Sequence, residues 1–300
     1  GAFDAIAIPA RHAIAPLVVM REFLPNLVAA AAVTRVLATI VGPVAAGFLY
    51  TVGPDLAYFA VAVLFAASIP PMLRTGYAVT PTRLTNRPSL KLALEGLRFI
   101  RRSPIVLSTI SLDMFAVLFG GAIALIPVIA EEQLDVGDIA YGWLRAAPGI
   151  GAGFLGLVLA RRPVTRRVGP TLLAVVATFG AFHITLAMTT NYVVAFVSLV
   201  IAAGADMVSM TIRSTLVPLA TPNSQLGRVT AVESVSIGAS NELGAFESGV
   251  AARAIGVPWA IAGGGIATMA IAAGFAAFVP ALRNIDTYND VGPVQAPPRT

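Results

Sequence analysis

Residues 191–219 read NYVVAFVSLVIAAGADMVSMTIRSTLVPL, with Asp206 and Arg213 as the only charges. A membrane-spanning helix needs about 20 mostly apolar residues, because the hydrocarbon core is about 30 Å thick. This stretch exceeds that length and lacks the apolar/polar alternation of a barrel strand, so it reads as a spanning helix. Arg213 lies two helical turns beyond Asp206, about 10 Å along the axis at 1.5 Å per residue. Both residues therefore share one face, with Met210 between them. A charge at mid-bilayer costs about 2.5–3.5 kcal/mol even on permissive scales, so the pair calls for either a function or a partner.

The same pattern occurs near the start of the chain. With a shift of 202 residues, Asp4 falls on Asp206, Arg11 on Arg213 and Pro16 on Pro218. Gly42 falls on Gly244 and Gly47 on Gly249. Apolar coincidences are cheap in this composition, but Asp, Arg and Pro matching in register are not. The two copies are parallel, as between the halves of a transporter built from repeats. Three apolar segments precede the second copy and none precedes the first. The parent fold is therefore expected to have about three more helices upstream.

The rest of the chain supports a membrane reading. Apolar residues make up 57% and charged residues 12%, against about 25% charged in soluble domains. Nine segments are long and apolar enough to span: 1–17, 26–50, 56–73, 104–130, 139–160, 170–189, 191–219, 228–254 and 258–281. The fold class is an all-α membrane protein. With no cysteine and two histidines, His12 and His183, thiolate chemistry, disulfides and histidine metal clusters are excluded, and no cofactor is expected. Gly149, Gly151 and Gly153 form no phosphate loop, since no strand precedes them and no Lys-Ser/Thr follows. The spacing of Gly149 and Gly153 and the run 263–265 are helix-packing signals.

The net charge of +5 follows from topology. The 74–102 stretch holds Arg74, Arg83, Arg87, Lys91, Arg98, Arg101 and Arg102 against Glu95, and 161–167 holds four arginines. Between them, 131–138 is acidic and has no Lys or Arg. Basic residues collect in short cytoplasmic loops, so the basic loops and the C-terminus are expected in the cytoplasm. The alternation explains the charge without nucleic acid.

Further stretches resemble a known family. SLDMFAVLFGGAIALIP (111–127) is similar to helix seven of the transmembrane secretion effector branch of the major facilitator superfamily, the enterobactin-exporter-like branch, and YGWLRAAPGIG (141–151) is similar to its helix eight. PARHA (9–13) resembles the end of helix four, and RVLATIVGP (35–43) resembles helix five. LGRV (226–229) and SNELGAFESG (240–249) resemble helix eleven and its approach. There are departures: the loop at 156–169 keeps its arginines but has no acid, and the antiporter motif survives only as Gly42-Pro43 with Gly47.

The resemblance implies a major facilitator fold with nine of an expected twelve helices. Residues 1–73 would complete the N-terminal half (helices four to six), 74–103 would be a basic cytoplasmic linker, 104–283 the six-helix C-terminal half, and 284–300 a disordered cytoplasmic tail. It implies a monomeric secondary transporter of the bacterial inner membrane, not an enzyme. The transporter would export a small amphipathic or siderophore-like molecule against proton entry by alternating access. Uptake or lysolipid translocation on the same fold, or an inactive or scaffold membrane fragment, are the alternatives.

Charges inside spans supply the candidate substrate and proton sites: Asp4, Arg35, Asp113, Asp206, Glu233, Glu242 and Glu247. Arg11 and Arg213 are candidate gating or structural charges. Arg35 and Asp113 would pair across the halves or each pair locally, and His183 is expected to be structural. On 228–254, Glu233, Ser240 and Glu247 share one stripe, while Glu242 lies opposite with Gly238 and Gly249. That glycine face is expected to pack against a neighbour, which would leave Glu242 needing a buried partner or a proton.

Overall fold

A computed structural model describes residues 24–74 and 90–292. The chain divides into two compact units, 1–87 and 88–300. Among the described residues every element is helical. The expected first span, 1–17, lies outside them.

In the first unit, α1 (Leu24–Val52) meets α2 (Pro54–Arg74) across Gly53. The rings of Tyr50 and Tyr58 stand edge to face there, 6.3 Å apart. Apolar side chains such as Phe59, Leu64 and Phe65 lie exposed on α2. Helices apolar all round belong in lipid or against other helices.

The second unit holds α3 (Leu90–Arg102), α4 (Pro104–Phe119), α5 (Asp138–Arg161), α6 (Val168–Met188), α7 (Tyr192–Leu219), α8 (Asn223–Ile255) and α9 (Val257–Phe278). The helix ends follow from local chemistry. Asn191 caps α7, its side chain accepting from the N–H groups of Val193 and Val194 at 2.9 and 3.2 Å, as an N-cap side chain does. Gly256 alone joins α8 to α9, at φ +86°, a backbone region that glycine adopts without Cβ strain. Beyond Gly120 the axis of α4 continues irregularly through Gln133, with a 3₁₀ turn at Gly121–Leu125 and a π turn at Ile129–Gln133. The Gln133 amide donates to the Leu186, Ala187 and Thr189 carbonyls, satisfying the C-terminal end of α6.

Among the described residues, seven helices are long and apolar enough to cross a membrane, over 33–52, 54–71, 104–133, 138–161, 168–188, 192–219 and 257–278. These correspond to seven of the expected spans. α8 occupies the expected span 228–254 but is more polar, because Glu233, Glu242 and Glu247 lie along it.

Within this unit α6 packs against α7 and α9, α5 against α7, and α4 against α8 and α9. Small residues set the closest crossings. A Cβ on Gly180 would lie 2.7 Å from the Gly265 carbonyl oxygen, and one on Gly265 would lie 2.6 Å from that of Gly180. Gly151 makes a close α5–α7 crossing, where a Cβ would fall on the Val200 carbonyl oxygen. Gly151→Ala is expected to destabilise the unit by about 1–3 kcal/mol through overpacking, although alanine is intrinsically the better helix former. Thermal unfolding in detergent reads the sign, and a midpoint unchanged or raised would contradict this crossing.

Two regions differ from the sequence reading. The 74–102 stretch is not loop throughout, because it contains α3. Gly96, Phe99 and Ile100 recur on one face of α3 and pack inward, while Glu95 pairs with Arg228 of α8 at 2.8 Å. The expected disordered tail is ordered as far as residue 292. Its polar composition conceals Ile285 and Val291, both buried in the apolar core. The Val168 and Gly169 N–H groups donate to the carbonyls of Asp286 and Ile285 at 3.1 and 2.9 Å, and Arg167 N–H donates to the Asp286 carboxylate at 3.1 Å. Asp290 closes this strap by accepting from Thr287 N–H at 2.7 Å and Asp286 N–H at 3.2 Å.

The Thr287 N–H holds the Asp290 carboxyl below the usual carboxylate range, which lies near pH ~3.9. A carboxyl with a lowered folded pKa stabilises above its unfolded value, and that contribution disappears as pH falls through the folded one. Amide protection over 284–292 is therefore expected to persist at neutral pH and to fall only on acidification below about 3.9. Loss already between about pH 6 and 7 would contradict the capping role.

Candidate functional site

Two apolar clusters fill the second unit. One includes Leu112, Leu172, Ile212, Leu216 and Leu282. The other includes Ile126, Leu144, Leu186, Leu199 and Ile261. On α5, α6 and α7 these clusters occupy opposite ends of the helices. Between them lies a cavity of about 270 Å³, walled by Ala116, Val117, Val175, Val176 and Phe179. Its polar lining is Asp113, Arg145, Asp206, Ser209 and Asn241.

The charges meet at Arg213. One guanidinium nitrogen, Nη1, forms an ion pair with Asp113 of α4, and both side chains are 9% exposed. The other, Nη2, lies 3.7 Å from an oxygen of Asp206, whose side chain is 51% exposed and opens into the cavity. Nε donates to Ser209 Oγ at 3.1 Å. The seven-residue spacing of Asp206 and Arg213 thus brings them together on α7, and the tertiary fold adds Asp113. Two carboxylates share one guanidinium, and Arg145 adds a second positive charge to the lining of the same cavity. Burial makes a protein-supplied partner necessary, since desolvating an unpaired charge costs several kcal/mol.

Arg213 also borders a second cleft, of about 300 Å³, with Glu233, Ser214 and Thr230. Glu233 is half-buried there. Glu247 is exposed and accepts from Ser248 Oγ at 3.5 Å. Glu242 departs from expectation. It is exposed, and Gly238 and Gly249 have open space around them. α8 packs instead through Ser240, Gly244 and Ser248, with Gly244 against the Leu118 carbonyl. Small residues at i, i+4 and i+8 made that stripe eligible, but two glycines drew attention to the opposite side. Asp113 pairs locally with Arg213, and Arg35 projects, exposed, from α1 in the first unit. Asp4 and Arg11 lie outside the described residues.

Two further contributors are absent from the sequence reading. Arg145, inside the α5 span, donates to the Ile123 carbonyl at 3.2 Å, an acceptor in the irregular stretch after Gly120. The signal was available: Arg145 is a charge within a predicted span. Phe179 lines the cavity beside Gly120, where a Cβ would meet its ring edge. His183 backs Phe179, with ring centroids 4.2 Å apart and Nδ1 2.8 Å from the Phe179 carbonyl.

Five helices long and apolar enough to cross a membrane, with the more polar α8, make up the second unit around its polar cluster, and two more such helices lie in the first, which defines a multi-pass membrane protein. The family model described as transmembrane secretion effector matches residues 1–298, and the chain belongs to that family. It is 29% identical to the enterobactin exporter EntS of Escherichia coli O1:K1 / APEC over 238 residues, covering 76% of this chain and 55% of the exporter. The same exporter from Escherichia coli O127:H6 is 28% identical and that from Shigella boydii serotype 4 is 27% identical, over the same shares. The chain thus spans about half the length of the curated relatives it matches.

Proposed function

We propose that this chain forms part of a secondary transporter of the bacterial inner membrane that exports a small amphipathic or siderophore-like molecule in exchange for protons. The observation that carries this reading is the cluster of Asp113, Asp206 and Arg213 beside a largely apolar cavity at mid-span. Apolar walls suit the body of an amphipathic molecule and the few polar groups orient it. Asp206, the more exposed and more distant of the two carboxylates around Arg213, gives a proton a place to bind, and each protonation change can favour one access state over the other. The relatives' name, enterobactin exporter, supports outward transport. Asp4 and Arg11 would supply the corresponding charges in the other half, and Arg35, Glu233, Glu242 and Glu247 would serve the pathway where the halves face each other. Residues 1–73 belong to the N-terminal half in this reading, 74–103 link the halves, and the C-terminus faces the cytoplasm.

The test uses inverted membrane vesicles with an acidic interior, carrying the whole transporter. Enterobactin, and separately a fluorescent lipophilic dye, should accumulate inside, and a protonophore should abolish the accumulation. Accumulation indifferent to the protonophore, or movement of both probes only toward the outer bath, would overturn the reading.

A further inference from the structure

α3 has two apolar faces but docks only one. At 100° per residue, Gly96, Phe99 and Ile100 point one way, and there they meet the core and α8. A Cβ on Gly96 would lie 3.0 Å from the Arg228 carbonyl oxygen, which fixes how closely the two helices approach. On the other side Leu94 and Leu97 are 59% and 43% exposed. Arg98, Arg101 and Arg102 beside them are exposed too. The one acid of the helix, Glu95, is held by Arg228 at 2.8 Å and does not neutralise these arginines.

The position of α3 supplies the rest of the argument. Only Ser103 separates Arg102 from the membrane-length segment 104–133, so the C-terminal end of α3 sits at the boundary of the bilayer. A helix facing bulk water there would gain nothing from two exposed leucines. A helix in the interface combines apolar groups reaching the acyl boundary with cations at the level of the headgroups. Arginine suits this place because its stem lies along apolar surface while the guanidinium stays at the phosphates, which it can grip with two parallel bonds.

We propose that the outer face of α3 is a binding site for anionic phospholipid, with Leu94 and Leu97 entering the acyl boundary and Arg98, Arg101 and Arg102 holding the headgroup phosphates. The site anchors α3, the first helix of the second unit, to the leaflet it lies against. It does not depend on what is transported or in which direction.

Bromolipid quenching tests this. Tryptophan is placed on the face by Leu94→Trp, and separately by Leu97→Trp, after Trp143→Phe and Trp259→Phe remove the native indoles. The full chain is reconstituted in vesicles containing either phosphatidylglycerol or phosphatidylcholine brominated close to the headgroup. The expected result is at least twofold stronger quenching by the brominated phosphatidylglycerol at both positions. In the Arg98→Gln/Arg101→Gln/Arg102→Gln variant the two lipids should quench alike. Equal quenching by the two lipids in the arginine-bearing protein would overturn the proposal. So would absence of quenching by both, whether the indole emits as in water or as if covered by protein.

Discussion

Arg213→Ala is expected to cause the largest loss of stability of any single substitution at the site. The change leaves Asp113 buried without its guanidinium partner, deprives Asp206 of its nearest cation and strands Ser209 Oγ. Removing one member of a buried ion pair costs about 3–5 kcal/mol, a large share of the ~5–15 kcal/mol that holds a typical protein together. The readout is the amount of inserted protein and its unfolding midpoint in detergent. Arg213→Lys should recover only part, since one ammonium cannot reproduce the guanidinium fork that reaches three partners. The double variant Asp113→Asn/Arg213→Gln removes both charges and should recover more than Arg213→Lys. If Arg213→Ala accumulates and melts like the parent, the pair does not carry the stability assigned to it.

Asp206→Asn should act on transport instead of on stability. The Asp206 side chain is half exposed and 3.7 Å from Arg213, so the direct Asp113–Arg213 pair survives the change. The amide keeps the shape and loses the ability to exchange a proton. Uphill, gradient-driven movement of the probe should fall at least tenfold, while exchange without a gradient stays near the parent level. Glu242→Gln is the informative contrast, because that carboxylate lies on the open side of α8. Loss of uphill movement in Glu242→Gln but not in Asp206→Asn would move the coupling site to α8. Loss of exchange together with protein level in Asp206→Asn would make the residue structural.

Much of the architecture was legible because the bilayer imposes length. An apolar run of about 20 residues has few options, and eight expected spans are present as helices among the described residues, seven of them apolar enough to cross a membrane. The Asp206–Arg213 proximity was legible for a similar reason, since helical geometry relates residues seven apart without tertiary information. Asp113 was a different matter. Its partner lies a hundred residues away on another helix, and no local period encodes that. α8 misled because a face is chosen by what lies opposite: Gly244 packs on a backbone carbonyl, while Gly238 and Gly249 meet nothing within their surroundings. The polar composition of residues 284–292 suggested disorder, yet two apolar side chains and three backbone partners were enough to hold them. α3 was overlooked because its charges dominated a stretch whose inward residues are few.

The strap also has a consequence for the order of synthesis. The first turn of α6 has no side-chain cap. The N–H groups of Arg167, Val168 and Gly169 are satisfied by Asp286 and Ile285, which enter the chain more than a hundred residues later. Ribosomes add about 5–20 residues per second, so these donors wait on the order of ten seconds for their acceptors, with water as the interim partner. All three transmembrane helices that follow α6 must be inserted before its starting turn is complete. Residues 285 and 286 therefore act as a latch that closes only after those three helices are made, and a ribosome that stops short of residue 285 would leave α4 to α9 present with α6 still unfastened.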